Sequence, residues 1–319
     1  MIAKLRLNPF TTKFYLTITA ALCLINIGFS KSAIAKNVGY STTETISQST
    51  NQNIPENPQS AEDYYKRGVS YYQSGNIEKA VADFTKTIEL DPNYTLAYSN
   101  RGFLYGRLGE SEKAVADFTK AIELDPQSTY SYYYRSLSYV LLKESQKAFA
   151  DLGQVIAIDP QYAEAYLIRG ILYNQSKDSE KAVADFNQVI QLDPNNADAY
   201  YQRGVSYSQL RESEKALSDL NKAIELDPLH DKAYHRRGLY YISSEKQKEA
   251  IADLNQVIAL NPTNAEAYLV RGIAHHQLKN FEQYRQDVEK AADLYLEQGN
   301  IQKVTQVRQM LQKLPTDNR

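Results

Sequence analysis

A length of 319 residues with 43% hydrophobic residues is enough for two folded domains or one long repeat array. The 36 Lys and Arg against 38 Asp and Glu give a net charge of −2, which excludes the basic field that nucleic-acid binding needs. The 26 Tyr without any Trp predict a repeated structural position that takes a large ring with a polar tip.

The first 35 residues have the pattern of a secretory signal peptide. Three cations and no acid precede an apolar run over residues 14–29, and small residues follow up to Ala35. We therefore expect cleavage after Ala35 and an exported chain, periplasmic or extracellular. The alternative is an uncleaved membrane anchor, although the run of about 16 residues is shorter than the ~20 needed to span a bilayer.

The segment before the folded region adds two expectations. Cys23 is the single cysteine, so the cleaved chain has no disulfide, thiol nucleophile or cysteine-based metal site. Cleavage also removes four cations and no acid, and the remaining 32 cations against 38 acids make a mildly acidic surface unsuited to an anionic membrane. Residues 36–60, rich in Ser, Thr, Asn and Gln with Pro55 and Pro58, predict a flexible linker.

From residue 61 the sequence repeats every 34 residues. Position 4 of each repeat is Tyr, positions 8 and 20 are mostly small, and a proline after Asp or Asn closes the first six repeats. The seven predicted repeats are 61–94, 95–128, 129–162, 163–196, 197–230, 231–264 and 265–298. The closing prolines are Pro92, Pro126, Pro160, Pro194, Pro228 and Pro262.

The sequence of each repeat predicts two helices. In repeat 1 they run over about residues 61–74 and 77–90, because Gly75-Asn76 suits a helix C-cap and Pro92 forbids continuation. Small residues at positions 8 and 20 allow two helix backbones to approach closely, and large rings at positions 4, 11 and 24 fill the surrounding space. One helix pair cannot bury such a face alone, so the repeats must stack.

The segment 299–319 predicts a capping helix for the end of the stack. An apolar stripe runs through Ile301, Val304, Val307, Leu311 and Leu314, with polar residues between them.

This pattern resembles the tetratricopeptide repeat, with Tyr64 in the position that the family usually gives to Trp. The resemblance covers residues 61 to about 298. It implies an all-α, right-handed superhelical solenoid of helix-turn-helix repeats with a C-terminal capping helix. It also implies that the first helix of each repeat lines a concave groove that binds protein partners.

Two charged positions are invariant in all seven repeats: Arg at position 7 and Asp at position 23, as in Arg67 and Asp83. Folding each helix pair at positions 15–16 places the two at the same height on antiparallel helices. We therefore predict a ladder of Arg–Asp pairs, within or between repeats. A rail for an anionic ligand is the less favoured interpretation, because every repeat already supplies an acid.

Function is expected where the repeats differ. The positions that face the groove in the family are strongly apolar in repeats 3 and 4 and polar in repeats 5 and 6. Positions 4, 8 and 11 already supply the core, so this second apolar stripe predicts a docking surface for a partner helix or an extended peptide. A tight superhelix or a dimer that covers the stripe is the alternative. The predicted docking residues are Tyr130, Tyr133, Tyr134, Leu137, Leu141, Leu167, Ile168 and Ile171.

Other sites find little support in the sequence. Chaperone-binding members of the family hold a terminal carboxylate with Lys, Asn and Arg, but here Asn100 has Tyr65 and Tyr134 at flanking places. The four His lack the i, i+4 spacing of a helical metal site, and no phosphate loop or nucleophile motif occurs. We expect no enzyme, no cofactor, no metal and no nucleic-acid partner.

The sequence thus predicts an exported, non-enzymatic scaffold or adaptor that holds a protein or peptide partner in its groove. Two alternatives stay open: a self-assembling structural protein that forms a homo-oligomer, and a membrane-tethered assembly factor that keeps residues 14–29.

Overall fold

The computed structural model describes residues 58–312, so the predicted signal peptide and nearly all of the predicted linker lie outside the described residues. Within that range the chain forms 15 α-helices and no strand, and consecutive helices pack as pairs. The prediction of an all-α repeat solenoid is confirmed. Among these helices none is long and apolar enough to cross a membrane.

The described residues divide into two compact units, one ending at Pro194 and one beginning at Asn195, here called the N-terminal and C-terminal units. Each helix of the N-terminal unit packs on its pair mate, and each pair packs on the next. The described helices of this unit are α1 (Ala61–Gln73), α2 (Ile77–Leu90), α3 (Thr95–Arg107), α4 (Ser111–Leu124), α5 (Thr129–Leu141), α6 (Ser145–Ile158), α7 (Ala163–Gln175) and α8 (Ser179–Leu192).

The C-terminal unit repeats the arrangement and adds one helix. Three helix pairs stack in sequence, and the last helix packs against the second helix of the third pair. The helices are α9 (Ala197–Gln209), α10 (Ser213–Leu226), α11 (Asp231–Ser243), α12 (Gln247–Leu260), α13 (Ala265–Gln277), α14 (Phe281–Glu297) and α15 (Ile301–Gln312).

Local sequence signals set the helix ends. Before α1, the Asp63 N–H donates to Ser60 Oγ at 3.1 Å and the Ser60 N–H donates to Asp63 Oδ2 at 3.2 Å, which is a capping box. At the other end of the pair, α2 stops at Leu90. Asp91 is extended (φ −136°, ψ 95°) because Pro92 disfavours the helical region for the residue before it.

The turn between the two helices of each repeat requires a left-handed residue at position 15. In repeats 1 and 2 this residue is glycine, Gly75 with φ +82° and Gly109 with φ +80°. The same turn occurs without glycine in the other five repeats, although a side chain rarely adopts this conformation. The residues are Lys143, Lys177, Arg211, Glu245 and Lys279, with φ between 58° and 64°.

The small residue at position 8 makes room for the ring at position 24, as predicted. A Cβ on Gly170 would lie 2.7 Å from Phe186 Cε1, closer than real contacts allow. Repeat 3 carries Ser136 at position 8 and pairs it with Leu152, which is smaller than Phe. Both residues are completely buried. Glycine at position 8 thus leaves room for a ring at position 24 but does not require one, since the glycines of repeats 5 and 6 face Leu220 and Leu254.

The last helix closes the C-terminal unit. Val304 and Val307 of α15 are buried in a cluster with α14, and the Tyr284 hydroxyl donates to the Met310 carbonyl at 3.3 Å. Ile301, expected in the inward stripe, is instead 60% exposed at the start of α15. The helix covers the end of the unit with an apolar inner side, as a terminal cap requires.

Candidate functional site

A bidentate Arg–Asp pair lies inside every repeat, which confirms the predicted ladder. In repeat 1, Arg67 donates from Nε to Asp83 Oδ2 and from Nη2 to Asp83 Oδ1, each at 2.8 Å. The other six repeats show the same geometry with distances of 2.6–2.9 Å. In repeat 4 the hydrogen bond to Asp185 raises the pKa of Arg169 above its ordinary value.

Two tyrosine rings enclose each ladder arginine in most repeats. The Arg135 guanidinium lies 5.6 Å from the Tyr132 ring centroid and 5.8 Å from that of Tyr139. Arg135 Nη1 also donates to Thr119 Oγ1 of the preceding repeat at 3.0 Å. The donors of this arginine are therefore used inside the protein, and positions 4 and 11 account for half of the 26 Tyr. The ladder joins helices and repeats rather than offering a rail for anions.

A second set of rings lies on the first helices of repeats 1–3 in the N-terminal unit. We call it the aromatic face; its members are Tyr72, Phe103, Tyr130, Tyr133 and Tyr134. Phe103 connects the helices, with Tyr134 edge-on at 5.1 Å and Tyr72 edge-on at 6.1 Å between ring centroids. On α5, the Tyr134 ring lies 4.5 Å from Tyr130 and 5.2 Å from Tyr133. Five rings thus form one connected cluster, in which Phe103 is buried and the four tyrosines are partly exposed.

The three α5 tyrosines of this face differ from their neighbours in hydrogen bonding. Within residues 58–312, the structure gives the hydroxyls of Tyr130, Tyr133 and Tyr134 no hydrogen-bond partner. Burial raises the pKa of all three phenols above the ordinary value. Nearby, the Tyr65 hydroxyl accepts from Asn100 Nδ2 at 3.0 Å, and burial raises the pKa of Tyr65 to about 12.

The predicted docking residues fall into two groups. Five of them are partly exposed on α5, namely Tyr130, Tyr133, Tyr134, Leu137 and Leu141. The other three belong to α7 and are buried in this structure, with 2–3% of their surface exposed: Leu167, Ile168 and Ile171. The open part of the predicted surface is therefore the α5 part. That the eight residues bind a partner stays a prediction.

Three residues next to this surface were missed by the sequence analysis: Tyr72, Phe103 and Arg107. They occupy the same groove positions in repeats 1 and 2 that were used to select residues in repeats 3 and 4. The same groove positions, taken in every repeat, predict these three residues as well. The Arg107 guanidinium lies 5.5 Å from the Tyr72 ring centroid, and burial lowers its pKa.

In the C-terminal unit the corresponding helix face is polar. His230 and Asp198 are both buried, with His230 Nε2 at 3.3 Å from Asp198 Oδ1. His230 Nδ1 accepts the Ala233 N–H at 3.2 Å, so the imidazole caps α11. Burial also lowers the pKa of His235 on the same helix. In the described part of the chain no group of three or more His, Cys, Asp or Glu is placed to hold a metal ion.

The groove-side residues alternate with a period of two repeats. In repeats 1, 3 and 5, a tyrosine at position 5 contacts a ring at position 34. The centroid distances are 4.9 Å for Tyr65–Tyr94, 5.2 Å for Tyr133–Tyr162 and 4.8 Å for Tyr201–His230. In repeats 2, 4 and 6 position 34 is a small polar residue that accepts a backbone N–H of the next helix. These residues are Ser128, Asn196 and Asn264. The array is therefore built from odd and even repeats.

Comparison with known proteins also indicates a helical repeat protein. Models of the tetratricopeptide repeat match residues 95–128 and 170–238, and a model described as TPR repeat matches residues 68–109 and 238–279. An uncharacterized protein of Methanocaldococcus jannaschii is 49% identical over 41 residues. That segment is 13% of this chain and 48% of the archaeal protein, so the chain matches about half the length of this curated relative.

Solved structures show the same fold over longer stretches. A tetratricopeptide repeat protein from Parabacteroides merdae has a TM-score of 0.62 at 20% identity, covering 78% of this chain and 99% of that one. MamA gives 0.51 at 25% identity, with 53% and 92% covered. YrrB, a TPR protein with an unusual peptide-binding site, gives 0.50 at 24% identity, with 58% and 95% covered.

The paired helices, their 34-residue period and their stacking define an α-helical repeat solenoid. The chain belongs to the tetratricopeptide repeat family. Proteins of this family are generally scaffolds for protein–protein interaction.

Proposed function

We propose that this chain is an exported, non-enzymatic scaffold that holds a protein or peptide partner on the aromatic face of its N-terminal unit. The observation that carries the proposal is the group of three adjacent tyrosines on α5, Tyr130, Tyr133 and Tyr134. Their rings are partly exposed, and their hydroxyls have no hydrogen-bond partner within the described residues.

A purely structural role accounts for these rings less well. The ladder uses the tyrosines at positions 4 and 11, here Tyr132 and Tyr139, and the core uses positions 8 and 24. The rings at positions 2, 5 and 6 of repeat 3 also pack inside the protein, on Phe118 and Tyr162, but all three stay partly exposed and so can contact a partner as well. Clustered aromatic side chains with a polar tip are enriched at the centres of protein interfaces, since they supply contact area with little loss of side-chain entropy.

The test is capture of partners from the exporting cell with three versions of the full chain. Tyr134→Asp places a charge at the centre of the aromatic face, and Gln154→Asp adds the same charge at an exposed site on α6 of the same repeat. We expect Gln154→Asp to keep the partner. Tyr134→Asp should weaken binding at least about 30-fold, the effect of losing roughly 2 kcal/mol at a hot-spot residue.

Circular dichroism of all three versions checks that they are folded. Equal capture by folded Tyr134→Asp and by the unchanged chain would contradict the proposal. A mass that rises with concentration in sedimentation, and that Tyr134→Asp abolishes, would support the self-assembling alternative instead.

The export part of the proposal has its own test. It rests on the signal-peptide pattern of residues 1–35. Mass spectrometry of the mature chain should find Lys36 as the first residue. A mature chain that retains residues 14–29 would favour the membrane-tethered assembly factor.

A further inference from the structure

A carboxylate lies at the edge of the aromatic face, where α7 begins. The Tyr162 ring, just before α7, lies 5.2 Å from the Tyr133 ring between centroids, which brings the first turn of α7 next to α5. Glu164 in that turn is partly exposed. Burial raises the pKa of the Tyr133 and Tyr134 phenols, and the nearby Glu164 carboxylate acts in the same direction. The acid therefore lies beside the partly exposed rings.

Repeat 1 carries an acid at the same position, but there the protein supplies the partners itself. Glu62 accepts from the Tyr94 hydroxyl at 2.5 Å and lies 3.1 Å from Nζ of Lys66, four residues further along α1. The residue four positions after Glu164 is Ile168, which is buried and has no charge. Within the described part of the chain, the structure gives Glu164 neither a hydrogen bond nor an ion pair. Repeat 4 thus keeps the acid and lacks the cation.

The rings beside Glu164 are also without a cation. Aromatic rings attract cations because their faces carry partial negative charge. At the other end of the aromatic face, the Arg107 guanidinium lies 5.5 Å from the Tyr72 ring centroid. Among the described residues no cation lies over the three α5 tyrosines. A carboxylate next to exposed ring faces suits an ammonium or guanidinium group, which gains both attractions at once.

We propose that the aromatic face takes up a lysine or arginine side chain of a partner polypeptide, with the cation between the Glu164 carboxylate and the rings of Tyr133 and Tyr134. This inference rests on the proposed function and narrows the partner to a basic segment. The rings continue through Phe103 to Tyr72, beyond the reach of one cation, so the segment also brings apolar residues. The excess of Asp and Glu over Lys and Arg in the chain favours the same sign of partner.

The experiment is calorimetric titration of the full chain with the peptide Gly-Ser-Leu-Arg-Leu-Arg-Leu-Ser-Gly, acetylated and amidated at its ends. A salt concentration of about 150 mM screens charges that lie more than about 8 Å apart. Glu164→Gln removes the charge and keeps the size of the side chain. We expect it to weaken peptide binding at least about fivefold, as for the loss of one charge-assisted hydrogen bond. Tyr133→Leu removes one ring and should weaken binding at least about threefold.

The matched control variant is Glu180→Gln. Glu180 is exposed and lies in the first turn of α8, as Glu164 lies in the first turn of α7. Both acids interact favourably with the N-terminus of their helix, and both substitutions change the net charge equally. Glu180→Gln should bind the peptide as the unchanged chain does. The control peptide carries citrulline in place of both arginines, which keeps the shape and removes the charge. It should bind at least about tenfold more weakly.

Four results would overturn the cationic partner: no binding of the arginine peptide, equal binding of the citrulline peptide, equal weakening by Glu164→Gln and Glu180→Gln, or unchanged binding by folded Tyr133→Leu. Circular dichroism checks the fold of each variant.

Failure of this inference differs from failure of the proposed function. Tyr134→Asp tests the apolar centre of the aromatic face, because it removes the ring that covers the apolar residues of the partner. Glu164→Gln tests the charged edge. Partner capture that Tyr134→Asp abolishes and Glu164→Gln leaves unchanged would keep the docking surface and overturn the cationic partner. Self-association that both variants abolish would overturn both proposals, because the occupant would be a second copy of this chain.

Discussion

Arg135 and Asp151 are joined by two parallel hydrogen bonds, from Nε to Oδ2 at 2.8 Å and from Nη2 to Oδ1 at 2.7 Å. Asp151 is only 4% exposed, so removal of its partner leaves a buried charge. We expect Arg135→Ala to lower the free energy of unfolding by about 3–5 kcal/mol. Arg135→Lys should lower the free energy of unfolding by a smaller but measurable amount, since Lys lacks the planar guanidinium that forms both hydrogen bonds. Urea unfolding followed by circular dichroism measures both.

The control for this prediction replaces both partners at once. In Arg135→Met with Asp151→Leu, no unpaired charge remains, and the cost should be small compared with that of Arg135→Ala. A loss below about 1 kcal/mol for Arg135→Ala would show that the ladder contributes little to stability.

The left-handed turns predict substitutions that stabilise the protein. Lys143 has φ +60° at the turn of repeat 3, where Gly109 has φ +80° in repeat 2. Because only glycine adopts this conformation without strain, Lys143→Gly should raise the free energy of unfolding by up to about 1 kcal/mol. Gly109→Ala should lower it by about 1 kcal/mol, and no atom lies within 4 Å of the added Cβ. Thermal and urea unfolding measure both changes. If both substitutions raised the free energy of unfolding, or both lowered it, the prediction would be wrong.

The packing of position 8 on position 24 predicts different responses to the same substitution. Gly170→Ala forces its Cβ to within 2.7 Å of Phe186 and should destabilise the protein by about 1–3 kcal/mol. At Gly238 the nearest atom, Leu254 Cγ, is 3.3 Å away. There the better helix propensity of Ala, worth up to about 1 kcal/mol, should offset the tight contact.

A double-mutant cycle checks the cause. Phe186→Leu removes the ring that the new Cβ meets, so Gly170→Ala should cost less in that background than alone. Additive effects would mean that the Phe186 ring is not responsible.

Histidine burial predicts acid sensitivity in the C-terminal unit. His235 Nε2 is buried without a hydrogen-bond partner within the described residues. Its pKa is lowered chiefly by burial, and also by Arg236, while Glu266 and Asp231 act in the opposite direction. The unfolded chain, with a histidine pKa of about 6.5, then binds the proton more readily than the folded one. Stability from this group is therefore complete above about pH 6.5 and is lost as pH falls through the lowered pKa.

The measurement is the urea midpoint between pH 8 and pH 5 for the unchanged chain and for His235→Gln. The unchanged chain should lose more stability on acidification than the variant does. Identical pH profiles would show that His235 does not contribute.

The fold could be predicted because one period of 34 residues carries both the helix-ending prolines and the core positions. The Arg–Asp ladder could be predicted from the same period, since the turn at positions 15–16 sets which residues of the two helices lie opposite each other. The candidate site was harder. Burial of Leu167, Ile168 and Ile171 depends on the packing around α7, which side-chain polarity alone does not reveal. The left-handed turn at Lys143 could not be predicted either, because lysine does not favour that backbone conformation.

The alternation of odd and even repeats has a consequence for how this chain can change in length. A deletion of residues 95–162 would join repeat 1 to repeat 4, so an odd repeat would still be followed by an even one. A deletion of residues 95–128 would place repeats 1 and 3 side by side and put the Tyr94 ring next to a helix that normally follows the cap of Ser128. Gain or loss of two adjacent repeats therefore keeps an odd repeat next to an even one, whereas a change of one repeat does not.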